Sequence, residues 1–123
     1  MAQLEQVLLQ QIRLALGQRS DVRLFRNNVG ALTDINGRLI RYGLFRGSSD
    51  LVGWRTMSGC GCARFLAIEV KAPGPRPTTA TPKQVNILSV VRASGGLAGI
   101  ARSIEEAESI IDSSSPPTGG LTT

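Results

Sequence analysis

The 123 residues give room for one domain with a real hydrophobic core and not for two, and they nowhere approach the ~18 consecutive apolar residues of a membrane span. Fourteen Lys and Arg against nine Asp and Glu leave a net charge of +5, and twelve of the fourteen are Arg, whose guanidinium forks pair with phosphate oxygens and so point to nucleic acid as the partner. Histidine is absent, which excludes Ser-His-Asp triads, His general bases and His-containing zinc sites.

Leu4 to Leu16 predicts an amphipathic helix, with Leu4, Leu8, Leu9, Ile12, Ala15 and Leu16 on one side and Gly17 as its stop. Glu5 is the anomaly, since it projects between Ile12 and Leu16 inside the apolar stripe. At the first turn it can reach solvent and favour the helix dipole. The glutamines around it, Gln3, Gln6, Gln10 and Gln11, interrupt any apolar signal-peptide core, so a cytoplasmic protein is expected.

Val22 to Asn27 alternates as a strand, and Asn27-Asn28-Val29-Gly30 follows as a turn. Asp34-Ile35-Asn36-Gly37 carries an Asn-Gly signal, making Arg38 to Tyr42 the return arm of a hairpin. Gly43 to Ser49 is loop, basic through Arg46. Asp50 to Arg55 reads as a strand with Asp50, Val52 and Trp54 on one face, and Met57 to Cys62 turns the chain. Cys60 and Cys62 cannot complete a structural zinc site, and the glycines around them indicate a hairpin tip; they are expected to be reduced loop residues, with a contingent disulfide as the alternative.

Ala63 to Lys71 then returns antiparallel. Leu66, Ile68 and Val70 form a face suited to burial, while Phe65, Ala67, Glu69 and Lys71 point the other way. A central strand rarely carries two charges, because an unpaired charge out of water costs several kcal/mol. The hairpin brings Asp50, at the start of one strand, near Glu69 and Lys71 at the end of the other.

Ala72 to Ala80 is a Pro-rich loop carrying Arg76. Thr81-Pro82-Lys83-Gln84 opens a helix with a capping-box pattern, and Gln84 faces inward between Leu88 and Val91. Gly95-Gly96 ends that helix, Leu97 to Arg102 is a strand, and Ser103 with Glu106 caps a last helix through about Ile111. Residues 1–112 are expected to form a single domain. The Ser/Pro/Gly/Thr composition of 113–123 predicts a disordered tail. Helix, three strands, helix, strand and helix suggest an α/β sandwich around a mixed sheet.

Asp50, Glu69 and Lys71 make a D…E-x-K pattern across the hairpin. Hard divalent cations want oxygen ligands, and Mg²⁺ is commonly held by one or two carboxylates with water and phosphate oxygens. An ion held by Asp50 and Glu69 would polarise a phosphate and acidify a bound water, and Lys71 would orient or deprotonate that water or stabilise phosphoryl charge. No nucleophilic side chain is required.

In these residues the chain resembles the PD-(D/E)XK nuclease superfamily and, within it, the VRR-NUC family of virus-type replication-repair nucleases. Glu5, Arg26 to Gly30, Gly47 to Leu51, Ile68 to Lys71, Lys83-Gln84 and Gly95-Gly96 carry the resemblance, which extends to about Ile111. Ser49 stands where many members have Pro. The resemblance implies a restriction-endonuclease-like mixed sheet core in α-β-β-β-α-β order with a C-terminal helix. It also implies Mg²⁺ or Mn²⁺ held by Asp50, Glu69 and the Val70 carbonyl, with a catalytic Lys71. Glu5 would act on the metal through water and Gln84 would line the site. Arg26, Asn27, Asn28, Arg46, Ser48, Arg76 and Lys83 are the residues expected to meet nucleic acid.

The implied activity is a structure-selective DNA endonuclease, working as a homodimer on branched DNA such as a Holliday junction in a bacterial or phage-infected cell. No organic cofactor and no membrane partner are expected. A restriction-type or end-processing nuclease is the alternative within the same chemistry, and a non-catalytic basic DNA-binding module is the alternative outside it.

Overall fold

The computed structural model describes residues 3–75 and 78–113. Its order is α1 (Gln3–Leu16), β1 (Val22–Arg26), β2 (Gly30–Thr33), β3 (Leu39–Tyr42), β4 (Leu51–Thr56), β5 (Ala63–Val70), α2 (Pro82–Ala93), β6 (Leu97–Ala101) and α3 (Ile104–Ile111). Four strands form one sheet in the order β1-β4-β5-β6, while β2 and β3 pair only with each other. The β1–β4 and β4–β5 pairs are antiparallel and β5–β6 is parallel, so the sheet is mixed. The main sheet and its helices therefore follow the expected α-β-β-β-α-β order with a final helix, and the hairpin is an insertion between β1 and β4.

The alternation of β5 decides the layers. Leu66, Ile68 and Val70 enter a core with Leu9, Ile12 and Leu16 of α1, Val22 and Leu24 of β1, Leu51 of β4, and Ala107 and Ile111 of α3. Each fully buried aliphatic side chain there contributes roughly 1.5–3 kcal/mol. On the outer face Ala67 meets Ala98 of β6 and Leu88 of α2. The parallel β5–β6 pair requires a crossover, and α2 supplies it over these two strands.

Three expectations are corrected. In α1 the buried residues are Glu5, Leu8, Leu9, Ile12 and Leu16, while Leu4 and Ala15 are exposed. At ~100° per residue the buried arc centres near Ile12 and Glu5, which leaves Leu4 and Ala15 at its margin. The hairpin's first arm, Gly30–Thr33, begins where a turn was expected. Its tip is set by the Asp34 side chain, whose Oδ1 accepts the N–H groups of Asn36 at 2.9 Å and Arg38 at 2.8 Å. Gly37, at φ +79°, takes the left-handed position that this turn needs.

Cys60 and Cys62 are joined as a disulfide rather than reduced. The turn between β4 and β5, closed by Met57 N–H donating to Cys62 O at 2.9 Å, holds their Cα atoms 5.3 Å apart, within bonding range. All of the expected tail except Ser113, and Arg76, lie outside the described residues. Among the described residues no helix is long and apolar enough to cross a membrane.

Candidate active site

The register of the β4–β5 hairpin builds the site. Leu51 faces Ile68, so Asp50 and Glu69 lie one step beyond the last pair, at the same end of the sheet. Asp50 is fixed twice: its carbonyl accepts Asn27 N–H at 2.8 Å, and its Oδ2 accepts the Val70 N–H at 2.9 Å. In an extended strand the N–H and C=O of one residue share an edge, so the Val70 carbonyl faces the Asp50 side as well. Lys71 N–H turns to the other edge and donates to Ala101 O at 3.1 Å.

Glu69 is 2% exposed. Its Oε2 accepts the Gln84 Nε2–H at 3.0 Å and lies 3.4 Å from Lys71 Nζ. Its Oε1 is buried with no hydrogen-bond partner among the described residues. Burial first, and the neighbouring Asp50 carboxylate second, together push the Glu69 carboxyl up to about 8, with Lys71 offsetting them only in part.

Gln84 has two tasks. Its Oε1 accepts Thr81 N–H at 2.9 Å while its own N–H donates to Thr81 Oγ1 at 3.2 Å, which closes the capping box of α2. Its amide nitrogen, left over from capping, is the group that reaches Glu69. The expected cap and the expected site-lining residue are one side chain.

Glu5 is buried at 6% exposure but is engaged elsewhere. Its Oε2 accepts the Thr78 hydroxyl at 2.6 Å and the Ala72 N–H at 3.3 Å, just past Lys71. Among the described residues no group of three His, Cys, Asp or Glu gathers as a metal cluster. The acidic donors at the sheet end are thus the pair Asp50 and Glu69. A buried carboxylate oxygen lacking a donor, beside a second carboxylate, is a hard oxygen set that suits Mg²⁺ or Mn²⁺.

A cleft of about 940 Å³ opens beside Asp50 and Gln84, walled by Gln6 and Leu9 of α1, by residues 26–31 and by residues 41–48. Arg26, Asn28 and Arg46, three of the residues expected to meet nucleic acid, line this cleft, with Arg26 Nη2 donating to Gln6 Oε1 at 2.9 Å. Asn27 and Ser48 are also on the wall, but their polar groups hold the loop together. Asn27 donates to Ser48 Oγ at 2.7 Å and Ser49 O at 2.9 Å and accepts Leu44 N–H at 3.1 Å. Lys83 lays its aliphatic stem against Gly47, where a Cβ would come within 2.8 Å of Lys83 Cγ. Sequence reasoning missed Arg41 and Tyr42, which line the same cleft from the hairpin's return arm. It also missed Thr78, for which a threonine in a Pro-rich loop gives no signal.

A mixed sheet with helices on both faces, carrying D…E-x-K at the open end of its central hairpin, defines a restriction-endonuclease-like fold. The VRR-NUC domain model matches residues 32–105, and the chain belongs to that family. The match includes Asp50, Glu69, Lys71 and Gln84 and leaves out α1 with Glu5, so it is narrower than the span read from the residues. Membership implies a nuclease-type function with DNA binding, and nucleases of this family are generally divalent-metal-dependent. No curated protein and no solved structure matches the chain.

Proposed function

We propose that this protein is a metal-dependent DNA endonuclease selective for branched DNA, including four-way junctions, that hydrolyses phosphodiesters with water as the nucleophile. The observation that carries the reading is the buried Glu69 carboxylate, with one oxygen held by Gln84 and Lys71 and the other without a donor beside Asp50. Asp50, Glu69 and the Val70 carbonyl would hold Mg²⁺ or Mn²⁺. Such an ion, when bound, supplies Lewis acidity toward a phosphate oxygen and acidifies water.

The chain's own groups do the rest. Val70 N–H fixes one oxygen of Asp50 and Gln84 fixes one oxygen of Glu69, so both carboxylates are held in place by the chain itself. Lys71, 13% exposed at its side chain, presents ammonium protons to a phosphoryl oxygen or to the attacking water. Arg26, Arg41 and Arg46 along the cleft meet backbone phosphates, with Lys83 at its edge. Glu5 holds the chain leaving β5 in place through Thr78 and Ala72.

Residues 1–112 act as one nuclease domain, in the cytoplasm of a bacterial or phage-infected cell. A two-fold homodimer gives the two equivalent sites that cutting a symmetric branch requires. A restriction-type or end-processing nuclease would use the same side chains, and substrate shape separates them. The test is cleavage of linear, flapped and four-way DNA with Mg²⁺, Mn²⁺ or EDTA, with light scattering on the same samples. Preferential, paired cuts at the branch that vanish in EDTA are expected. Equal cutting of linear DNA would remove branch selectivity, activity in EDTA would remove the metal, and a strictly monomeric mass with and without DNA would remove the preformed dimer.

A further inference from the structure

The outer face of the sheet is covered over one half only. Helix α2 packs on β5 and β6, and its apolar contacts are Ala67, Ala98 and Ile100. Among the described residues no helix covers β1 and β4 on this face, and three rings stand there: Phe25 at 50%, Trp54 at 42% and Phe65 at 47% exposure. Trp54 is paired with Phe65 across the β4–β5 ladder, and its ring centroid is 5.7 Å from that of Phe25. Arg23, exposed, is the residue opposite Trp54 on β1.

Strand period puts the rings on the face of the carboxylate pair. Asp50, Val52 and Trp54 alternate along β4, and Phe65, Ala67 and Glu69 along β5. Each of Trp54 and Phe65 is four residues from its carboxylate, about 13 Å at ~3.3 Å per residue. Charge distinguishes this side too. Helix α2 carries no acidic residue, and the outer-facing strand positions carry none beyond Asp50 and Glu69. On the inner side α3 holds Glu105, Glu106 and Glu108, and Asp21 and Asp112 are tied to Arg19 and Arg55. A polyanion is therefore favoured on the ring face over the side where the three glutamates of α3 stand.

We infer that Phe25, Trp54 and Phe65 form a stacking platform for unpaired bases, so that the strand reaching Asp50 and Glu69 is single-stranded beside the cut. Base-on-ring stacking needs half-open rings and a nearby cation for phosphate, and Arg23 supplies the cation. A second copy of the chain fits less well. Three half-exposed rings offer on the order of 300 Å², against about 800 Å² per partner in a standard stable interface. The inference rests on the nuclease reading for its purpose, but its test does not need cleavage.

Trp54 is the chain's single tryptophan and reports directly. The full chain in EDTA is titrated with a thymidine oligonucleotide, an abasic strand of equal length and a blunt duplex of equal length. The thymidine strand is expected to quench Trp54 saturably, and the abasic strand and duplex to bind with little quenching. Phe25→Leu and Phe65→Leu should each weaken thymidine-strand binding about tenfold and change duplex binding by no more than about twofold. Bound thymidine strand with unquenched Trp54 in the unaltered chain overturns the platform, as does equal weakening for duplex. So does a dimer that dissociates in either ring variant, which would give the rings to a second copy. Cleavage with Mn²⁺ is read separately: quenching without cutting would sink the nuclease reading alone, and cutting without quenching the platform alone.

Discussion

Two carboxylates are buried among the described residues, and their surroundings differ in kind. Glu5, on α1, accepts hydrogen bonds from a hydroxyl and a backbone amide on a single oxygen, and it closes the loop that leaves β5. Glu69, on β5, has a donor and an ammonium on one oxygen, no donor among the described residues on the other, and a second carboxylate close enough to share a proton with it. Burial of an acid is thus not what marks the site. Glu69 is held in a state that folding alone disfavours, which is the condition of a group kept for a ligand.

The largest expected effect tests that difference. Glu69→Gln and Asp50→Asn should each lower cleavage by about a hundredfold or more, the usual weight of a single catalytic group, with DNA binding kept or tightened. At alkaline pH without metal, Glu69→Gln should also raise stability by about 1 kcal/mol or more, because it removes an ionised carboxyl that the fold opposes. A variant less stable than the unaltered chain under those conditions would show Glu69 to be an ordinary structural acid. Lys71→Met comes next: cleavage should fall to a similar extent while calorimetry still detects metal binding. Loss of both together would make the Lys71–Glu69 contact a structural one.

The pH dependence is smaller and its sign is fixed. The folded-state value of Glu69, about 8, lies above its ordinary 4.5, so between these values the folded chain holds a proton that the unfolded chain has lost. This group's contribution to stability is therefore full below about 4.5, declines as pH rises across that window, and is gone above about 8. Thermal melts in EDTA across the window should show the decline, Glu69→Gln should remove it, and Mg²⁺ should stabilise most at its alkaline end. A slope unchanged in the variant would break the comparison.

The smallest effect belongs to Glu5. Glu5→Gln keeps an acceptor for Thr78 and Ala72, so a loss of about 1 kcal/mol is expected with little change in the Mg²⁺ needed for half-maximal cleavage. A clear shift to higher Mg²⁺ would instead give Glu5 a part in the ion's outer surroundings.

Much of this could be read in the residues, for identifiable reasons. The period of two in Leu66, Ile68 and Val70 set the face of Glu69, and the hairpin register then had to bring Asp50 opposite it. The helical angle of Glu5 revealed a buried acid, though not that Thr78 satisfies it, because a contact across 73 positions leaves no local trace. Gly30–Thr33 was hidden for another reason: four residues of mixed character, all at least partly exposed, carry no alternation to detect. Nor could spacing settle the bond between Cys60 and Cys62, which depends on how tightly the turn around Gly61 closes.

Gln84 links the chemistry to a part of the helix that opens readily, its first turn. The carboxamide that caps α2 also holds Glu69, so each transient fraying of Thr81 to Gln84 releases the carboxylate at the same moment. Glutamate, the other common residue for this capping position, would keep the helix start but set an anion against Glu69. Amide hydrogen exchange at Gln84 and Val85 should therefore slow when Mg²⁺ engages the opposite oxygen of Glu69, and the lifetime of one helix turn sets how long the site stays assembled.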